Sequence, residues 1–168
     1  MTTEALSNPS HNPNSAMLRQ AFGSFATGVT VVTARDAAGH LVGLTANSFS
    51  AVSLEPPLVL WCISLTTPSF AAFRDCSHYA INVLAADQEE ISNRFANPSP
   101  DKFAGLAHAP GLGGAPLLGG CIATFECANT HRYPGGDHLI MVGAVERYRV
   151  DLNAPLLFFG SRYAGLQP

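Results

Sequence analysis

A chain of 168 residues with nine Lys and Arg against twelve Asp and Glu, a net charge of −3, is long enough for one domain with a real core and has no basic stripe to neutralise a run of nucleic-acid phosphates. Charged residues make up 12% of it and AVILMFWYC residues 47%, with fifteen glycines besides. Against roughly 25% charge in an ordinary soluble domain, too few charges remain to cover a monomer, so a homodimer with a large apolar interface is expected.

Residues 1–14 hold two prolines and no periodicity and are expected to form a flexible arm, with 15–168 as a single domain. That polar start has neither a basic n-region nor an apolar h-region, and no later run approaches about eighteen apolar residues. The expectation is a cytoplasmic protein with no membrane partner. Cys62, Cys76, Cys121 and Cys127 have no C-x-x-C or zinc spacing and read as reduced, mostly buried thiols.

Ser15 is placed to cap a helix with Met17, Leu18, Ala21, Phe22 and Phe25 on one face, ended by Gly28. Val29 to Ala34 and Leu41 to Ala46 read as strands joined by the turn Asp36-Ala-Ala-Gly39, a hairpin. In Gly43 to Pro57, polar Thr45, Asn47, Ser48, Ser50 and Ser53 interrupt an apolar pattern almost without charge. An unmet buried polar group costs about 1–3 kcal/mol, so either the fold satisfies these groups or a polar, planar ligand does.

Pro56 and Pro57 force a turn. Leu58 to Ser64 then reads as a strand buried on both sides. Thr67-Pro68 opens a short helix to about Arg74, Tyr79 to Leu84 is a strand, and Asp87 with Glu90 marks the start of a helix carrying Ile91 and Phe95. Residues 97–120, with four prolines and six glycines, read as one long ordered loop of the kind that is usually functional. Its Gly111-x-Gly113-Gly114 follows no strand and opens no helix, which sets it apart from a nucleotide fingerprint. Ile122 to Thr130 and His138 to Val150 are strands around the turn Tyr133-Pro-Gly-Gly-Asp137, and Leu156 to Phe159 is a last short one. Six or seven strands without βαβ rhythm or repeat predict an antiparallel barrel.

No G-x-S-x-G elbow supports serine hydrolysis. His131 and His138 flank the Pro-Gly-Gly turn; with Asp137 they fit an exposed polar turn, a metal set or a substrate-facing histidine. Singly, Ala26 to Thr30 reads as a helix stop before a strand, and Ser48, Ser50 and Ser53 as hydroxyls that satisfy their own backbone.

In order, Phe25-Ala-Thr-Gly-Val-Thr-Val-Val-Thr33, Gly43 to Val59, Phe95 with Lys102-Phe103, and Gly136-Asp-His138 closely resemble the short-chain flavin reductase family, the NAD(P)H:flavin oxidoreductases of two-component monooxygenases. The likeness runs from about Met17 to Tyr163. It implies a mainly β, split β-barrel fold, a homodimer, FMN or FAD as flavin, and NADH or NADPH as hydride donor. It places the flavin ring against Thr27, Gly28 and Val29 and against Thr45, Ala46, Asn47 and Ser48, and the ribityl phosphate at Ser50, Ala51, Val52 and Ser53, where hydroxyls and backbone N–H groups make an anion nest. Further cofactor contacts are implied at Cys62, Ser64, Phe95, Lys102, Gly136, Asp137 and Tyr163, and His138 is implied as the catalytic residue that places the nicotinamide.

Hydride passes between two cofactors, so no acid–base pair need stand out. Many relatives carry a basic residue after the third strand, whereas Cys62 to Thr67 has none; Lys102, Arg94 or hydroxyls alone then face the phosphate. A separate monooxygenase is the implied recipient of reduced flavin. The competing expectations are a tightly held flavin reducing a corrinoid or ferric complex, and a non-enzymatic flavin- or haem-binding barrel.

Overall fold

The computed structural model describes residues 15–99 and 101–166, so the arm expected at 1–14 and the cap expected of the Ser15 side chain lie outside the described parts. A helix α1 (Ser15–Gly23) is followed by β1 (Thr27–Gly28), β2 (Thr30–Arg35), β3 (Leu41–Ala46), β4 (Ser50–Leu54), β5 (Pro57–Ser64), α2 (Phe70–Asp75), β6 (His78–Val83) and α3 (Glu89–Ala96). Then come β7 (His108–Pro110), β8 (Pro116–Leu118), β9 (Ala123–Gly135), β10 (His138–Val150), β11 (Leu157–Phe159) and β12 (Arg162–Ala164).

Seven strands form one antiparallel sheet in the order β3-β2-β6-β9-β10-β5-β4, with β1-β11-β12 and β7-β8 as small sheets beside it. The β2–β3 hairpin follows from local chemistry. Asp36 Oδ1 accepts the N–H of Ala38 (2.9 Å) and of His40 (2.8 Å), an Asx turn closed by Gly39 at φ 92°. The sheet curls until its two sides meet near β3 and β5: Ser48 Oγ, just past β3, accepts the N–H of Cys62 on β5 at 2.9 Å. One hydroxyl thus bridges where no strand ladder runs, and the barrel is split along that seam.

Two apolar cores lie on either side of the sheet. One gathers Val32, Ala34, Val59, Trp61, Ile63, Phe73, Tyr79, Ile81, Cys127 and Met141; Trp61 meets Phe73 and Tyr79 edge-on at 5.2 and 5.6 Å. The other gathers Val29, Val31, Leu84, Phe95, Leu118, Cys121 and Leu156, with Phe103, Phe158 and Tyr163 packed on it. β2 belongs to both, which is why its first five residues are all buried; its polar members are satisfied, Thr30 Oγ1 by Ala46 O (2.7 Å) and Thr33 Oγ1 by Pro116 O (2.6 Å).

Several local expectations are corrected. α1 ends at Gly23, and Gly28 instead pairs with Leu157 in a strand. β5 alternates buried and half-buried residues rather than being covered on both faces, since one face looks onto the seam. Ser69, without a side-chain cap bond, precedes α2. Gln88 precedes α3, and its amide accepts the Ala85 N–H (3.0 Å) and donates to Gly119 O (2.8 Å), so Asp87 is no cap. Ser50–Leu54 and Arg162–Ala164 are strands where none were expected, and the long loop contains the β7–β8 hairpin. The four cysteines are free; burial pushes the Cys121 thiol up to about 11 and that of Cys127 up to about 12.

Candidate functional site

The seam opens into a cleft of about 990 Å³ walled by residues 40–48 of β3 and its flanks, Cys62–Ser64 of β5, Thr67–Ser69, residues 95–99 and 101–104, and His138. Its size is that of a small-molecule or cofactor pocket. β3 ends the sheet order, so among the described residues its outer edge faces no partner strand, and alternate N–H and C=O groups there lack ladder bonds. Lys102 Nζ takes one of them, donating to Gly43 O (3.3 Å) and to Phe95 O (2.7 Å). Gly43 is itself dictated by packing: a Cβ there would stand 2.6 Å from Phe95 Cδ1 and 3.3 Å from Phe103 Cζ. Phe95 and Phe103 meet edge-on at 5.0 Å.

The hydroxyls that looked unpartnered are mostly used by the protein. Thr45 Oγ1 donates to Ser92 O (2.6 Å), Ser48 Oγ bridges the seam, Ser50 Oγ donates to Ala51 O (3.2 Å), and Ser53 Oγ donates to the Pro56 carbonyl. The exposed Asn47 has no hydrogen bond among these. Lys102 is the only lysine or arginine of the cleft wall among the described residues, and partial burial lowers its pKa from the ordinary lysine value. Arg94 instead donates to Ala104 O (3.0 Å), tying α3 to the loop. At the other end His138, beside Ser64 on β5, has its Nδ1 within hydrogen-bond distance of Asp137 Oδ1, at 2.7 Å, and this contact holds the Asp137 carboxyl below the usual carboxylate range.

The family model described as "Flavin reductase like domain" matches residues 22–167. The chain belongs to the flavin reductase family. A relative named the reductase component of a flavin-dependent trigonelline monooxygenase, from Acinetobacter baylyi, is 48% identical over 131 residues, 78% of this chain and 42% of that protein. FMN reductase (NADH) SmoA of Agrobacterium fabrum is 42% identical over 150 residues, 89% of this chain and 85% of that one. The solved structure of the Streptomyces globisporus NADH:FAD oxidoreductase SgcE6 in complex with NAD and FAD fragments superposes with a TM-score of 0.90 at 38% identity, covering 98% of each chain. The chain spans about half the length of the curated relatives it first matches, between 42% and 57%. With such neighbours, the fold is that of the split-barrel flavin reductases.

Of the residues that the resemblance implicates, Thr45, Ala46, Asn47, Ser48, Cys62, Ser64, Phe95, Lys102 and His138 share the walls of this one cleft. Thr27, Gly28, Val29, Ser50, Ala51, Val52, Ser53, Gly136, Asp137 and Tyr163 are not among those walls. Thr27 and Gly28 pair with β11, and the Thr27 hydroxyl is buried without a partner among the described residues. Ser50 to Ser53 lie on the outermost strand, three of the four exposed. The Tyr163 hydroxyl donates to Asn93 Oδ1 (3.1 Å) and meets Ser92 Oγ at 2.9 Å, so it braces α3. The cleft adds Gly43, Thr67–Ser69, Asn97–Ser99, Asp101 and Phe103; for the last of these walls the sequence signals are the Lys102-Phe103 pair of the resemblance and the Pro- and Gly-rich composition of 97–120. Among the described residues no group of three or more His, Cys, Asp or Glu is set to hold a metal ion, and no helix is long and apolar enough to cross a membrane.

The walls fit a flavin on their own chemistry. An isoalloxazine alternates donors and acceptors along one edge, which is what an unladdered strand edge complements, and the single cation suits a phosphate. Burial also raises the pKa of the Cys62 thiol, which keeps that part of the wall uncharged.

Proposed function

We propose that the seam cleft binds FMN or FAD and the nicotinamide of NADH or NADPH, and that the protein is a flavin reductase supplying reduced flavin to a separate monooxygenase. The observation that carries this reading is the unpaired edge of β3 facing a cleft with one cation, in a chain whose family model spans 22–167. The names of the relatives, a monooxygenase reductase component and an NADH-dependent FMN reductase, support the same role.

When bound, the flavin supplies the hydride acceptor at N5 and the nicotinamide the donor at C4. The chain's part is placement. Backbone groups of Thr45 to Ser48 hold the ring edge, and Lys102, with two of its three N–H bonds given to carbonyls, keeps one for the phosphate. Phe95 and Phe103 exclude water from one side, and His138 orients the nicotinamide. Gly28 and Ser50 to Val52 are exposed and would join the site through a second subunit. A homodimer is supported by α1, nine residues long with Ala16 to Phe22 all exposed. Met17 and Phe22 on it, and Phe25 just beyond, are 55%, 70% and 78% exposed. So short a helix is marginal in water unless its apolar side is covered.

Steady-state NADH oxidation with free FMN or FAD in excess tests the role. The expected result is saturation in flavin. Turnover independent of added flavin would instead indicate a held cofactor and another acceptor, and no NADH oxidation would indicate a binding protein. His138→Ala is expected to raise the NADH KM or lower turnover with flavin affinity nearly intact; a large loss of flavin affinity would contradict the role given to His138.

A further inference from the structure

Asp137 is not part of the cleft wall, yet it touches a residue that is. Its carboxylate lies 2.7 Å from His138 Nδ1, with the Asp137 side chain 92% exposed and that of His138 44%. The backbone around the pair is pinned. Leu65 N–H donates to Asp137 O at 3.0 Å, His138 opposes Ser64 on β5 and Gly135 on β9, and Gly136 takes φ 69° in the turn before them, a conformation that glycine adopts without strain. With the main chain fixed, the remaining freedom is in the two side chains.

An ionised carboxylate only accepts hydrogen bonds, so the imidazole nitrogen facing it carries the proton. The neutral ring then has Nδ1–H and a bare Nε2. Among the described residues Nε2 has no hydrogen-bond partner. We propose that Asp137 is the positioning residue for His138: it fixes the Nδ1–H tautomer, so that Nε2 is offered as an acceptor to an N–H donor in the cleft, the carboxamide amine of the nicotinamide. The proposal rests on the reading of His138 given above. Without the carboxylate the ring is free to hold its proton on Nε2, where it donates and cannot accept. Asn at 137 keeps the shape but can pair with either tautomer, so it removes the selection and leaves the turn intact.

The test is Asp137→Asn, with Asp137→Ala beside it. Protein labelled with 15N-histidine and saturated with FMN is examined at a pH where the imidazoles are neutral; two-bond 15N–1H correlations report the tautomer of each ring, and loss of one set in His138→Gln assigns His138. Wild type is expected to show Nδ1–H at His138, and Asp137→Asn a shift toward Nε2–H. In the same variant the NADH KM is expected to rise about two- to fivefold, the scale of one exposed ion-paired hydrogen bond, with kcat and flavin affinity unchanged. Retention of the Nδ1–H tautomer in both variants overturns the proposal, and so does a lost tautomer with unchanged KM when His138→Ala raises it. If KM is unmoved in His138→Ala as well, the nicotinamide reading of His138 fails, and with it the ligand named here; the tautomer itself is read without turnover.

Discussion

The core around Trp61 and the core around Phe95 bury similar side chains but are assembled from different parts of the chain. The first comes from paired strands, with Phe73 and Phe70 of α2 as its helical members. The second joins strand ends to α3, the loop after it and the C-terminal hairpin. Both reach the cleft, the first through Ala46 and Ile63 and the second through Phe95 and Phe103. One wall is therefore fixed by backbone ladders and the other by side-chain packing. Flavin affinity should be far more sensitive to the second.

The largest effects compare the two cores directly. Trp61 and Phe95 are 0% and 1% exposed, and truncation of either to Ala should cost about 3–5 kcal/mol in urea unfolding. Only Phe95→Ala is expected to reduce FMN affinity in the protein that remains folded. A greater loss of FMN binding in Trp61→Ala would break the comparison.

Gly43→Ala should follow in size. Its new methyl would press on the Phe95 ring, and Phe95 cannot retreat because it is buried against Phe103. Overpacking of this kind costs about 1–3 kcal/mol, and here it strikes the strand edge and the packed wall together. Stability and FMN affinity should therefore fall jointly, whereas a stability loss alone would mean that the edge of β3 does not carry the ring.

How far these walls were legible in the sequence depends on the range of the interactions that build them. The β2–β3 hairpin and the strand His138–Val150 were read closely because alternation and the Asp36–Gly39 turn act locally. The partner of Thr45 lies 47 residues away at Ser92, and the Cys62 amide that Ser48 serves lies 14 away; no local pattern encodes either. Polar residues in an apolar strand do signal specific partners, but most of those partners are groups of the protein itself. The end of α1 was misplaced for a related reason: Gly28, which resembles a helix stop, is drawn into a strand by Leu157 from the far end of the chain.

Lys102 gives an effect of intermediate size, and it separates charge from packing. Lys102→Gln is expected to weaken FMN binding about tenfold, a change of roughly 1.4 kcal/mol, and to leave riboflavin, which lacks the phosphate, unchanged. Burial lowers the folded-state pKa of Lys102 below its ordinary value. Between the two values the unfolded chain binds more protons, so the penalty for burying the charge is present below the folded pKa and is relieved as pH rises through it. Phosphate binding runs the other way, because it needs the charged form. FMN affinity should thus decline in alkaline solution at a lower pH than an exposed lysine would give, with riboflavin titrations flat over the same range.

The smallest effect probes the seam itself. Ser48→Ala removes the acceptor of the Cys62 N–H, and since Ser48 and Cys62 are only half-buried, water can replace part of the bond. The expected loss is about 1 kcal/mol, the usual net value of one hydrogen bond. It should be local: hydrogen exchange at the Cys62 amide should quicken by about fivefold, the factor that such an energy represents. Ile63 and Trp61, laddered to Leu139 and Met141 of β10, should keep their protection. If exchange quickened equally along β5, the seam would be a closure on which the whole strand depends, and the division into a laddered wall and a packed wall would not hold.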